Sequence, residues 1–159
     1  MKLTLGIFAV AVLSSLLFIS CESATYKNYE DVVDFQWKKS DVKKYSVEIK
    51  ETGTDYSVII ALRHYTQTPL NEVDVAYTIE TPSGDKTEGK AKIQVKDPET
   101  GQLVGEAAYQ FTDVEAVVIK DWKPESSGTY KFSVQSDMSQ DPVPTIMEVG
   151  LIVRNNKAE

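Results

Sequence analysis

The feature that most constrains the fold is a repeated alternation of apolar and polar side chains. In one segment, Val73, Val75 and Tyr77 are separated by single polar or small residues. Alternation over four to eight residues is typical of a β-strand with one buried face, whereas a helix repeats its apolar residues every three or four positions. The same alternation recurs at 45–49, 56–62, 91–95, 130–134 and 147–153.

Turn-forming sequences separate these segments, and they lie at 81–84, 97–101 and 124–128, each with proline and a final glycine. Short strands with one apolar face pack as two antiparallel sheets. We therefore predict an all-β fold, an antiparallel two-sheet β-sandwich (Ig-like or jelly-roll-like) of about seven to eight strands. We also expect one helical turn at 137–140, followed at 141–144 by an extended crossover, because its two prolines cannot donate ladder hydrogen bonds.

The N-terminus has the pattern of a bacterial lipoprotein signal. Lys2 is followed by an uncharged, mostly apolar run, and the small residue Ser20 precedes Cys21, the only cysteine in the chain. This arrangement is typical of a cleaved export signal in which the cysteine thiolate takes a diacylglycerol. An ordinary signal peptide and a single-span anchor are the alternatives, while a disulfide is excluded because no second cysteine exists. We predict lipid attachment at Cys21.

These features divide the chain into three parts. We predict a removed signal peptide at 1–20, a lipidated N-terminus and polar tether at 21–34, and a single β-sandwich domain at 35–159. Asp and Glu number 24 against 17 Lys and Arg. An acidic chain is poorly suited to nucleic acid or to an anionic membrane surface, so we expect the lipid to hold the protein at its membrane.

The sequence offers no catalytic or cofactor-binding motif. His64 is the single histidine, and no G-x-S-x-G segment presents a serine to it. One histidine and one cysteine cannot supply a zinc or haem site, and no phosphate-binding glycine loop occurs. We expect His64 to be a solvated residue at a strand end, and we predict no enzyme activity, metal or cofactor. Chance pairs of carboxylates leave a glycosidase as a minor alternative.

Three residues are candidates for an interaction surface. Trp37 and Trp122 could stack on sugar rings or anchor a protein interface, or they could close the ends of the core. Asp141 lies in the predicted crossover, which we expect to be available to partner proteins. Tyr130 follows a turn glycine, and we expect its hydroxyl to bond upstream backbone, as the corner tyrosine of sandwich folds does.

Motifs in the last third of the chain resemble the end of the gliding-motility lipoproteins called GldH. They are Gly128-Thr129-Tyr130-Lys131-Phe132, Asp141-Pro142-Val143-Pro144 and Glu148-Val149-Gly150-Leu151. The resemblance implies a lipid-anchored outer-membrane protein of Bacteroidetes, required for gliding and linked to type IX secretion, with envelope proteins of the gliding machinery as partners. It implies no catalytic residue. We expect attachment on the periplasmic face; the alternative is a surface glycan-binding lipoprotein.

Overall fold

The computed structural model describes residues 24–157, and nearly all of its regular structure is β-strand. The only helical element in this part of the chain is a single 3₁₀ turn at Val33–Phe35. The strands are β1 Ala24–Asp31, β2 Gln36–Trp37, β3 Lys43–Ile49, β4 Tyr56–Tyr65, β5 Glu72–Glu80, β6 Lys86–Gln94, β7 Glu106–Ala108, β8 Phe111–Trp122, β9 Gly128–Ser136, β10 Val143–Pro144 and β11 Ile146–Asn155.

The strands form two main sheets and one small ribbon. The five-stranded sheet has the order β1-β11-β4-β8-β7, and the four-stranded sheet has the order β3-β9-β5-β6. β10 and β2 form the ribbon, and every strand pairing is antiparallel. The predicted all-β antiparallel sandwich is confirmed. The structure has more strands than expected because it includes three very short ones, β2, β7 and β10.

The alternation of the sequence places one face of each main sheet in a common core. Tyr45, Val47 and Ile49 of β3 are buried, and the intervening residues are exposed. Val58 and Leu62 of β4 face them from the other sheet. Burying one such side chain stabilises the fold by roughly 1.5–3 kcal/mol, so the facing rows hold the sheets together.

The strand register defines two ends of the sandwich. At the near end, β1 begins at Ala24 opposite Arg154 of β11. At the far end, β1 reaches Asp31, and β4 ends at Tyr65. The 10 residues of β4 run between these ends, a distance of about 33 Å for an extended strand.

The predicted tether at 21–34 is wrong for residues 24–31, which form β1 at the edge of the five-stranded sheet. β1 pairs with β11 almost residue by residue, and the Val32 N–H continues the pairing by donating to Met147 O over 2.7 Å. Gly150 makes room for the ring of Tyr29, because a Cβ at this position would lie 2.6 Å from Tyr29 Cε1. Residues 21–23 of the predicted tether lie outside the described residues.

The helical turn expected at 137–140 is absent from the described structure, which has bends there. The Asp137 N–H donates to Asp74 O of β5 over 2.9 Å, and the Met138 N–H donates to Ser136 Oγ of β9 over 3.3 Å. The extended crossover is confirmed in its second half, where Val143 pairs with Trp37.

β6 is an outer strand of the four-stranded sheet, hydrogen-bonded to β5 on one side. Gly89 at its centre receives the ring of Tyr77, because a Cβ there would lie 2.3 Å from Tyr77 Cζ. The exposed lysines of β6 form ion pairs with acidic residues of neighbouring segments: Lys86 with Glu80, Lys90 with Asp137 and Lys92 with Glu72.

Candidate interaction surface

His64 is buried in the core, so the expectation of a solvated strand-end residue is wrong. β4 continues to Tyr65, and position 64 falls on the same face as the buried Leu62. His64 Nδ1 lies 2.8 Å from Tyr65 O, and Nε2 has no hydrogen-bond partner within residues 24–157. Burial lowers the pKa of His64 below its ordinary value because the charged ring would lose its water.

The described residues contain no group of three or more His, Cys, Asp or Glu side chains that could hold a metal ion. His64 has no access to solvent, so a substrate in solution could not reach its ring.

Trp37 is a core residue, and its predicted role in an interaction surface is wrong. The side chain is fully buried, and its indole N–H donates to Asp41 O over 2.9 Å. The pairing of β2 with β10 holds Trp37 opposite Val143, which is also buried. A sugar ring cannot stack on this indole, so the glycan-binding alternative loses one of its two platforms.

Trp122 lies at the near end and is half-buried. Its ring makes edge contacts with three aromatic rings, and the closest centroid, that of Tyr130, is 5.1 Å away. The Tyr130 hydroxyl donates to Ser126 O over 2.9 Å, which confirms the expected corner tyrosine. Trp122 thus closes one end of the core, and a surface role for it stays a prediction.

Asp141 lies on the surface at the far end. Its Oδ1 accepts a hydrogen bond from the N–H of Lys39 over 3.0 Å, and its side chain is exposed. The next residue, Pro142, lines a groove of about 430 Å³ with Val33, Lys38 and neighbouring polar residues. Of the three predicted interaction residues, Asp141 alone is exposed.

An aromatic row that the sequence reasoning missed crosses the far end of the five-stranded sheet. The rings of Phe35 and Tyr65 meet edge to face with centroids 5.3 Å apart. Tyr65 and Phe111 continue the row at 5.5 Å. The three residues come from separate segments, so only the register of β4 against β8, which pairs Tyr65 with Phe111, reveals the row.

A charged cluster borders the aromatic row on the outer face of the same sheet. Arg63 binds both carboxylate oxygens of Asp113, with Nε–Oδ1 and Nη2–Oδ2 distances of 2.8 and 3.0 Å. Its Nη1 also lies 2.8 Å from Glu148 Oε2. The hydrogen bonds to Asp113 raise the pKa of Arg63 above its ordinary value. Two acids thus share one base, and the cluster is acidic overall.

No helix within residues 24–157 is both long and apolar enough to cross a membrane.

The sequence of nearly the whole sandwich matches a known protein family. A family model described as GldH lipoprotein matches residues 24–153. A curated relative, the gliding motility lipoprotein GldH of Flavobacterium johnsoniae, is 26% identical over 106 residues. That alignment covers 67% of this chain and 64% of the relative, so the chain spans somewhat less than two thirds of the relative's length. Because the family match runs from β1 into β11, the chain belongs to the GldH lipoprotein family.

Proposed function

We propose that this protein is a non-catalytic outer-membrane lipoprotein that serves the gliding-motility machinery and its linked type IX secretion through contacts with other envelope proteins. The observation that carries the proposal is the GldH lipoprotein match from residue 24 to residue 153. The burial of His64, the single histidine of the chain, supports a docking role rather than a reaction.

Lipid attachment at Cys21 is the step that would bring this domain to the membrane. Cys21 lies outside the described residues, and β1 begins three residues later at Ala24. Three residues reach at most about 11 Å when fully extended. A lipid on Cys21 would therefore hold the near end of the sandwich close to the bilayer, on the periplasmic face in this proposal.

Replacing Cys21 with serine tests the anchor. Cys21 is the only cysteine, so its loss removes the only thiol that could be linked to the lipid. Two or three acyl chains attach a protein to a membrane almost permanently. We expect the Cys21→Ser chain to fold but to leave the membrane fraction, whereas Thr25→Ala, on the exposed side of β1, stays. A Cys21→Ser chain that remains in the pellet after carbonate washing would contradict lipid anchoring.

A deletion strain tests the role in gliding. Cells lacking the chain should stop gliding, and the wild-type gene should restore movement while the Cys21→Ser gene does not. Normal gliding by the deletion strain would refute this function, whatever the outcome of the fractionation.

A further inference from the structure

The far end of the sandwich carries an apolar surface that we name the far-end patch, formed by Val33, Phe35, Tyr65, Tyr109 and Phe111. Val33, Phe35 and Tyr109 are 75%, 39% and 103% exposed. They are three of the four exposed large apolar residues in the described part of the chain. Val33 lies two residues before Phe35 and Tyr109 lies two residues before Phe111, so both flank the aromatic row. Exposed apolar residues scattered singly are ordinary, whereas a group of them at one end favours a binding surface.

The backbone under the far-end patch contains three non-glycine residues with positive φ. Phe35 has φ +56° and Tyr109 has φ +57°, the left-handed region that side chains with a Cβ rarely adopt. Asp34, between Val33 and Phe35, has φ +53°. The fully exposed ring of Tyr109 gains no burial in return for this conformation. Strained residues of this kind cluster at binding sites, where the strain preorganises the contact.

The position of the patch argues against a lipid surface as its occupant. β1 begins at the near end, and the 10 residues of β4 span about 33 Å from that end to Tyr65 of the patch. With Cys21 anchored as proposed, the near end faces the bilayer and the patch points away from it. This step rests on the proposed function.

The charges around the patch indicate the chemistry of a partner. Asp31, Asp34 and Glu106 are exposed beside it, and none of them forms an ion pair with another described residue. Asp113 and Glu148 lie next to the row and share the single base Arg63. We name Asp31, Asp34, Glu106, Asp113 and Glu148 the acidic rim. Lys38 is exposed beside the groove at Pro142, so the acidic rim lies chiefly beside the five-stranded sheet and away from that groove. Partner groups of opposite charge would meet this rim.

We propose that the far-end patch is the docking surface for an envelope protein that presents an apolar or aromatic side chain ringed by lysine and arginine. Aromatic residues at the centre of a desolvated contact commonly carry most of the binding energy. The strained turns hold Phe35 and Tyr109 outward, and the acidic rim orients the partner.

The test uses the full chain in its own cells with a photoreactive phenylalanine analogue in place of Phe35. A second strain carries the analogue at Val117, which is 58% exposed on the sheet face and serves as the control. We expect the analogue at position 35 to capture one protein whose crosslinked peptide contains lysine or arginine beside apolar residues. We expect position 117 to capture at least tenfold less.

Tyr109→Asn separates binding from folding. Asparagine tolerates a positive φ better than tyrosine does, and the exposed ring leaves no cavity. We therefore expect the thermal midpoint of the detergent-solubilised chain to stay the same or rise, while capture at position 35 falls at least tenfold. Replacing Asp31 and Glu106 with Asn and Gln should also reduce capture. A structural role alone would lower the thermal midpoint instead.

Several results would overturn the docking proposal: capture of only lipid or of a second copy of this chain, no capture, or undiminished capture with Tyr109→Asn. Gliding distinguishes the two proposals. A deletion strain that glides normally refutes the proposed function. A non-gliding deletion strain that the Tyr109→Asn gene restores completely refutes the docking surface alone.

Discussion

Tyr45 joins the two sheets through a single hydrogen bond. Its side chain on β3 is 2% exposed, and its hydroxyl donates to Val149 O on β11 over 2.7 Å. Burial of the hydroxyl, with smaller effects of nearby acidic groups, raises the pKa of Tyr45 well above its ordinary value. We predict that the effect of Tyr45→Phe on stability depends on pH and vanishes in alkali.

The magnitude follows from two opposing effects. At pH 7 the variant loses one neutral buried hydrogen bond, which lowers the free energy of unfolding by about 1 kcal/mol. Above pH 10, tyrosine ionises in the unfolded chain but not in the core, so this residue costs the wild type about 1.4 kcal/mol per pH unit. Because the pKa of Tyr45 is raised in the folded state, the contribution of Tyr45 to stability is fully present below about pH 10 and is lost as pH rises further. Phenylalanine has no such loss, and the difference should disappear by about pH 11.

Urea unfolding followed by tryptophan fluorescence at pH 7, 10 and 11 measures both effects. Tyr109→Phe is the control, because its ring is fully exposed and surface changes of this kind stay within about 0.5 kcal/mol at pH 7. A constant difference between wild type and Tyr45→Phe at all three pH values would refute the reasoning, since the hydroxyl would then ionise equally in both states.

Three further predictions concern the core and β1. Because burial lowers the pKa of His64, the unfolded chain binds a proton at a higher pH than the folded chain does, and stability should fall as pH drops below about 6.5. The urea midpoint should therefore fall less between pH 7 and pH 5.5 in His64→Gln than in wild type, and an equal fall would contradict this. Trp37→Phe should cost about 2 kcal/mol in thermal unfolding, since it leaves a cavity and an unpaired carbonyl, and a cost below about 0.5 kcal/mol would contradict a buried indole. Gly150→Val should displace Tyr29 and loosen β1, so limited trypsin digestion should cleave β1 faster than in wild type, and unchanged cleavage would show that the ring adapts.

The sequence predicted strands where one face is apolar and the other polar. β8 was not predicted because its core-facing residues include Thr112 and Ala116, which weaken the alternation of apolar and polar residues. Bulges then shift its parity: Ile59 pairs with Val117, but the adjacent Val58 pairs with Ile119. A period-two pattern interrupted in this way cannot be read without the partner strand.

β1 was not predicted as a strand for a different reason. It lies at a sheet edge, and its exposed polar residues resemble a tether. Backbone pairing with β11 fixes it in place, and backbone hydrogen bonds leave little trace in side-chain pattern. His64 could have been placed correctly, since it continues the even-numbered core positions of β4 after Leu62; its polar residue type favoured the surface instead.

The candidate surface was predicted only in part. Asp141 was placed at the surface by its proline-rich context, and the structure agrees. Trp37 was assigned by residue type, which does not distinguish a core indole from an exposed one. Phe35 and Phe111 are far apart in sequence, and only the folded register brings them to either side of Tyr65.

The lysines along β6 affect whether a strand from another molecule can pair with this outer strand. A free strand edge can template the pairing of another chain, and confinement to a membrane surface would raise the frequency of such encounters. A strand adding to β6 would bring its own side chains against the charges of Lys86, Lys90 and Lys92. The charged edge therefore disfavours the addition of a strand from another copy of the chain.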